Sequence, residues 1–93
     1  MSLKELQFII TTQLYIIYRT PSCDEAFKEA VKKYDATLAK IVAFYGGEDK
    51  TPASEDPDLY EVYHNVYKSE VGCRPRRPTT LAEMKNYLNR GER

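Results

Sequence analysis

The sequence predicts an all-α protein, a compact three-to-four-helix bundle in a single domain of residues 1–93. Apolar residues recur at three- and four-residue steps in separate stretches, which is the period of an amphipathic helix. Capping residues, glycines and prolines separate these stretches. The length of 93 residues is well below the roughly 250 residues at which a single core stops growing, so one domain is expected.

The first predicted helix covers residues 2–19. Its β-branched pairs at Ile9-Ile10 and Ile16-Ile17 leave a strand as the alternative, but strands rarely run this long without a turn residue. Because Phe8 and Tyr15 project from the other side, the helix is apolar on more than one face. This suggests a central position in the fold or burial in an oligomer, and we expect a homo-oligomer. The main apolar face consists of Leu3, Leu6, Ile10, Leu14 and Ile17.

The second predicted helix begins at a capping box formed by Ser22 and Glu25 and ends at Gly46-Gly47. The polar, proline-containing residues 48–56 that follow predict an exposed and mobile loop. The apolar stripe of the helix consists of Phe27, Ala30, Val31, Tyr34, Leu38, Ile41, Val42 and Tyr45.

Two further helices are predicted in the carboxy-terminal half. Asp56-Pro57 offers an N-cap and a first-turn proline for the third helix, which should end at Gly72. The fourth begins at Thr80, whose capping partner is Glu83, and ends at Gly91. The third helix carries Leu59, Val62, Tyr63, Val66 and Tyr67, and the fourth buries Leu81, Met84 and Leu88.

Composition limits the function classes. Hydrophobic residues make up 42% of the chain and charged residues 30%, as in an ordinary globular domain. One histidine and two cysteines without a CxxC spacing cannot form a zinc-type ligand set, so no metal or other cofactor is expected. The missing nucleotide-binding and catalytic motifs predict a non-enzymatic protein.

Without a targeting segment or a long apolar run, we expect a cytoplasmic protein without membrane association.

Charge is unevenly distributed along a neutral chain. Fourteen basic residues balance fourteen acidic ones, which argues against general attraction to nucleic acid. Residues 51–70 contain five acidic residues and one basic residue, a net charge of −4. Residues 71–93 contain six basic and two acidic residues, a net charge of +4. These blocks can pair within the chain, between subunits or with a partner.

Three arginines form the first candidate binding site. Arg74, Arg76 and Arg77 lie among prolines that favour an extended connector. The connector leads into a helix at Thr80, where free backbone N–H groups favour an anion. The arginines could grip a phosphate, a nucleic-acid backbone or an acidic protein surface. Alternatively, they are solvated or pair with the acidic block upstream.

The third predicted helix carries the second candidate site. Tyr60, Tyr63, His64 and Tyr67 share one side at three- and four-residue spacing, and Lys68 adds a positive charge. Such rings could stack on bases or form the centre of a protein interface. They could also simply pack the helix while their polar atoms reach water.

A short motif gives the chain a resemblance. Tyr67-Lys68 followed by Gly72-Cys73-Arg74-Pro75-Arg76 resembles a Tyr-Lys-x-x-x-Gly-x-Arg-Pro-Arg motif of small, mostly uncharacterised proteins of tailed bacteriophages. The resemblance implies a phage origin and action inside an infected bacterium, where such proteins often bind and disable a host system.

Two functions are therefore predicted. The first is a non-enzymatic protein that binds and inhibits a host protein complex, for example an antiviral defence system. The alternative is a binder of nucleic acid or of a phosphate-bearing nucleotide through the arginines and tyrosines. The absence of surplus positive charge favours the protein partner.

Overall fold

A computed structural model of the chain describes residues 2–73 and 79–90. Four α-helices and one short 3₁₀ helix form the described part, which contains no strand, so the predicted all-α class is confirmed. The helices are α1 (Leu3–Arg19), α2 (Glu25–Tyr45), α3 (Pro57–Val71) and α4 (Leu81–Arg90), and the 3₁₀ helix is Ala53–Glu55. The chain divides into two compact units, Met1–Phe44 and Tyr45–Arg93, so the single domain stays a prediction.

The first unit begins with α1, which confirms the helix and excludes the strand alternative. The Ser2 hydroxyl accepts a hydrogen bond from the Glu5 backbone N–H and thereby caps the first turn. Leu6 and Ile10 are buried on the predicted apolar face. Phe8 on the other side is 74% exposed, so α1 presents an apolar ring to solvent, as predicted.

Helix α2 starts at Glu25, but its cap differs from the prediction. Asp24, rather than Ser22, precedes the helix directly, and its carboxylate accepts a hydrogen bond from the Ala26 N–H at 2.9 Å. Asp24 takes this place because its carboxylate lies next to the free N–H groups of the first turn. The helix ends at Tyr45 and is followed by Gly46, whose φ of 90° suits glycine. Its buried residues are Ala30, Tyr34, Thr37 and Ile41.

In the second unit, α3 has the predicted ends. The buried Asp56 carboxylate accepts a hydrogen bond from the Leu59 N–H at 3.2 Å, and Pro57 occupies the first turn. Gly72 closes the helix with a φ of 88°, in the left-handed region.

Helix α4 begins as predicted. The Thr80 hydroxyl accepts a hydrogen bond from the Glu83 N–H at 3.2 Å. Leu81 and Met84 are fully buried and Leu88 is half-buried. The predicted end at Gly91 lies outside the described residues.

The prediction of an exposed loop at residues 48–56 is right only in part: residues 48–50, 52 and 54 are exposed, whereas residues 51, 53 and 56 are buried. Thr51 and Ala53 are almost completely buried, and the 3₁₀ helix contacts both α3 and α4. The Ala53 N–H donates to the Thr79 carbonyl at 2.8 Å, and the Leu81 N–H donates to the Thr51 carbonyl at 2.7 Å. Thr51 and Ala53 can be buried because their backbone groups find partners beside α4, which a polar composition does not reveal.

None of the helices in the described ranges is long and apolar enough to cross a membrane.

Candidate functional site

Five rings from α3 and α4 form one cluster, which we call the aromatic surface: Tyr60, Tyr63, His64, Tyr67 and Tyr87. The ring centres of Tyr60 and His64 are 4.3 Å apart. Tyr63 lies 5.8 Å from Tyr67 and meets Tyr87 edge-on at 5.5 Å. Tyr67 and Tyr87 are 5.4 Å apart. The structure therefore brings together the four rings predicted from the sequence and adds a fifth from α4.

The members of the aromatic surface differ in exposure. Tyr63 is buried, with 5% of its surface exposed, and holds the cluster to the protein. Tyr60, His64 and Tyr67 are half-buried, and the neighbouring Lys68 is exposed. Tyr63 thus packs the helix, whereas the other rings are partly exposed.

Tyr87 was not among the residues predicted from the sequence. Its hydroxyl donates a hydrogen bond to the Glu70 carboxylate, joining α4 to the end of α3. This bond, followed by burial and the Glu70 charge, raises the pKa of Tyr87 from 10.0 to about 12. In the sequence, Tyr87 lies three residues after the core residue Met84. This spacing places both residues on one side of a helix and could have indicated that Tyr87 packs toward α3.

The Tyr87 bond predicts a particular dependence of stability on pH. Because the folded-state pKa exceeds the 10.0 of an unfolded tyrosine, its contribution to stability is complete below about pH 10. The contribution disappears as the pH rises toward about 12. We expect the stability advantage of the wild type over Tyr87→Phe, measured by urea denaturation, to shrink over this range. A difference between the two proteins that is constant with pH would contradict the bond.

A second hydrogen bond of this type lies at the end of α2. The Tyr45 hydroxyl donates to a Glu55 carboxylate oxygen at 3.2 Å. Burial raises the pKa of Tyr45, and the negative charge and hydrogen bond of Glu55 add to the effect. Both residues belong to the second unit, so this contact joins the last residue of α2 to the 3₁₀ helix within that unit.

The predicted arginine site can be assessed only at its helix end. Arg74, Arg76 and Arg77 lie outside the described residues. The anion-binding role of the α4 N-terminus is wrong, because protein atoms already occupy the N–H groups of its first turn. The Leu81 N–H donates to the Thr51 carbonyl, and the Ala82 N–H donates to the Glu48 carbonyl at 3.2 Å. The Glu83 N–H donates to the Thr80 hydroxyl.

A groove with a volume of about 450 Å³ runs between α3 and α4, and we call it the α3/α4 groove. It is lined by apolar Leu59, Val62, Val66 and Leu88 and by polar Glu70, Lys85 and Asn89. The Lys85 ammonium forms an ion pair with Glu48 at 3.1 Å. Around α3, Val62 points about 160° away from Tyr60 and His64, whereas Glu70 points only about 60° away from Tyr67, so the groove and the rings lie on adjoining faces of that helix.

Sequence reasoning missed the α3/α4 groove. Its apolar residues were assigned to helix packing, whereas Val62 remains 47% exposed. One feature of the sequence indicated the groove. Val62 and Tyr63 are adjacent apolar residues, and together they make the apolar stripe of α3 wider than one neighbouring helix covers.

The described residues contain no group of three or more histidine, cysteine or acidic side chains that could hold a metal ion. Cys23 and Cys73 are both exposed, free thiols.

Comparison of the chain with protein-family models, with curated proteins and with solved structures finds no match.

Proposed function

We propose that this chain is a non-enzymatic protein that binds another protein through its aromatic surface and thereby inhibits a host protein complex. The observation that carries the proposal is the ring cluster itself. Tyr63 anchors it, while Tyr60, His64 and Tyr67 stay partly accessible beside Lys68. Tyrosine-rich clusters of this kind are enriched at the centres of protein interfaces.

The mutual ring contacts favour binding. Each ring is restrained by a neighbour 4.3 to 5.8 Å away, so little side-chain freedom remains to be lost when a partner docks. A tyrosine ring also offers an apolar face and a hydroxyl, which suits the mixed surface of another protein.

The charge of α3 supports a protein partner rather than nucleic acid. Asp58, Glu61 and Glu70 outnumber Lys68, which gives the helix that presents most of the rings a net charge of −2. Phosphate groups would be repelled by this helix, and the occupied N-terminus of α4 supplies no compensating N–H groups. The host-directed part of the proposal rests on the motif resemblance of residues 67–76.

The test is retention of a partner by the immobilised full-length chain from nuclease-treated bacterial lysate, followed by titration with the purified partner. We expect the double variant Tyr60→Ala/His64→Ala to weaken binding by at least about 30-fold, the effect of losing a central aromatic contact. Phe8→Ala removes a ring that is 74% exposed on α1 and serves as the matched control, with unchanged affinity. Equal binding by the double variant, or retention of nucleic acid alone, would refute the proposal.

A further inference from the structure

We propose that the α3/α4 groove is the binding site for a second copy of this chain, so that the protein forms a two-fold symmetric dimer. The groove adjoins the aromatic surface, because its residue Glu70 accepts the hydrogen bond from Tyr87. The dimer proposal is argued from the lining of the groove and does not depend on the proposed function.

The groove has the composition of an interface. Leu59, Val62, Val66 and Leu88 provide an apolar floor, and Val62 keeps 47% of its surface exposed. Burying this floor against another apolar surface removes it from water, which is the main driving force of association. The volume of about 450 Å³ leaves room for side chains of an apposed helix.

The charges in the groove point to a second copy as the occupant. A symmetric interface must be complementary to itself, since the same patch is used by both subunits. The charged residues lining this groove are one acid, Glu70, and one base, Lys85. An acidic or a basic partner would satisfy only one of them, whereas an identical copy satisfies both.

Both charged groups retain the capacity to bind a partner. The Lys85 ammonium has three donors and is 39% exposed, and its ion pair with Glu48 requires only one donor. The exposed Glu70 carboxylate accepts one hydrogen bond from Tyr87, and its remaining lone pairs can accept others.

The two charges lie toward different ends of the groove. Glu70 is near the end of α3, eleven residues or about 16 Å along the helix from Leu59. The Lys85 ammonium pairs with the Glu48 carboxylate. The Glu48 carbonyl accepts a hydrogen bond from the Ala82 N–H in the first turn of α4, beside the segment that precedes α3. An antiparallel pair of α3 helices therefore places each Lys85 near Glu70 of the partner subunit.

The chain as a whole is neutral, although its charges are unevenly distributed along the sequence. The block of residues 51–70 has a net charge of −4 and the block of residues 71–93 a net charge of +4. The zero net charge of the whole chain removes long-range repulsion between copies.

The experiment is sedimentation equilibrium or light scattering on the full chain from about 5 to 200 µM, because dimer population depends on protomer concentration. We expect the wild type to reach twice the single-chain mass of 10.8 kDa. Val62→Asp should give a monomer. Glu70→Lys and Lys85→Glu should each raise the dimer dissociation constant at least about tenfold by opposing like charges, and the double variant should restore the dimer.

Three controls separate the interface from the fold. Tyr87→Phe removes the hydrogen bond to Glu70 but keeps the carboxylate, so the dimer should persist. Lys32→Glu reverses an exposed charge on α2 and should have no effect. Circular dichroism of each variant checks that the helices remain. A monomeric wild type, an oligomer insensitive to Val62→Asp, or a charge-swapped double variant without rescue would overturn the proposal.

Discussion

Met84→Ala is expected to lower the free energy of unfolding by about 2–5 kcal/mol, the range for truncating a buried methionine to alanine. Met84 is fully buried on α4, the helix that contacts both the 3₁₀ helix and α3. The truncation leaves a cavity at this junction, and a unit this small has few other apolar side chains to close it. Urea denaturation followed by circular dichroism measures the change.

Two variants on α4 show whether the cavity is the cause. Met84→Leu conserves volume and should cost less than about 1.5 kcal/mol. Asn86→Ala alters an exposed position of the same helix and should change stability by less than about 0.5 kcal/mol. If Met84→Ala destabilised the protein no more than Asn86→Ala, the assignment of Met84 to the core would be wrong.

Helix boundaries were predictable where the stabilising groups are neighbours in sequence. Ser2, Asp56 and Thr80 each accept a hydrogen bond from a backbone N–H three residues later, so the cap and its partner occur in one short stretch. At α2, Ser22 and Asp24 both offered a capping oxygen, and the spacing to Glu25 favoured the wrong one. Whether Ser22 or Asp24 caps the helix depends on the conformation of the backbone that leads into it.

The segment of residues 48–56 was partly mispredicted because its partners are distant in sequence. Thr51 and Ala53 pair with residues 79–81 through backbone atoms, which every residue type carries. No pattern in the composition of this segment encodes such a bond. The same bonds occupy the N-terminus of α4, so one unpredicted contact also removed an expected anion site.

The candidate site was predictable to the extent that it lies on a single helix. The spacing of Tyr60, Tyr63, His64 and Tyr67 within α3 determines which side they share. Tyr87 and the α3/α4 groove depend on how α4 packs beside α3, and that packing is set by the buried 3₁₀ helix, which contacts both. Thus the rings could be identified from sequence, whereas their fifth member and the groove could not.

Thr51→Val is the second substitution with a large expected effect, a loss of about 0.5–1.5 kcal/mol in unfolding free energy. Thr51 is fully buried, and its hydroxyl donates to the Gly47 carbonyl at 2.7 Å. Valine has nearly the same shape but no donor, so the Gly47 carbonyl loses one of its two hydrogen bonds and keeps the one from the Lys50 N–H at 3.1 Å. The destabilisation also extends to α4, because the Thr51 carbonyl receives the Leu81 N–H.

A second threonine provides the matched control for this prediction. The Thr11 hydroxyl in α1 donates to the Gln7 carbonyl at 2.9 Å, the same four-residue pattern, but at an exposed position. Thr11→Val should therefore change stability by less than about 0.5 kcal/mol, because water replaces the lost donor. Thr51→Ser keeps the hydroxyl and should retain more stability than Thr51→Val. Equal losses from Thr11→Val and Thr51→Val in urea denaturation would show that burial of the 48–56 segment does not stabilise the second unit.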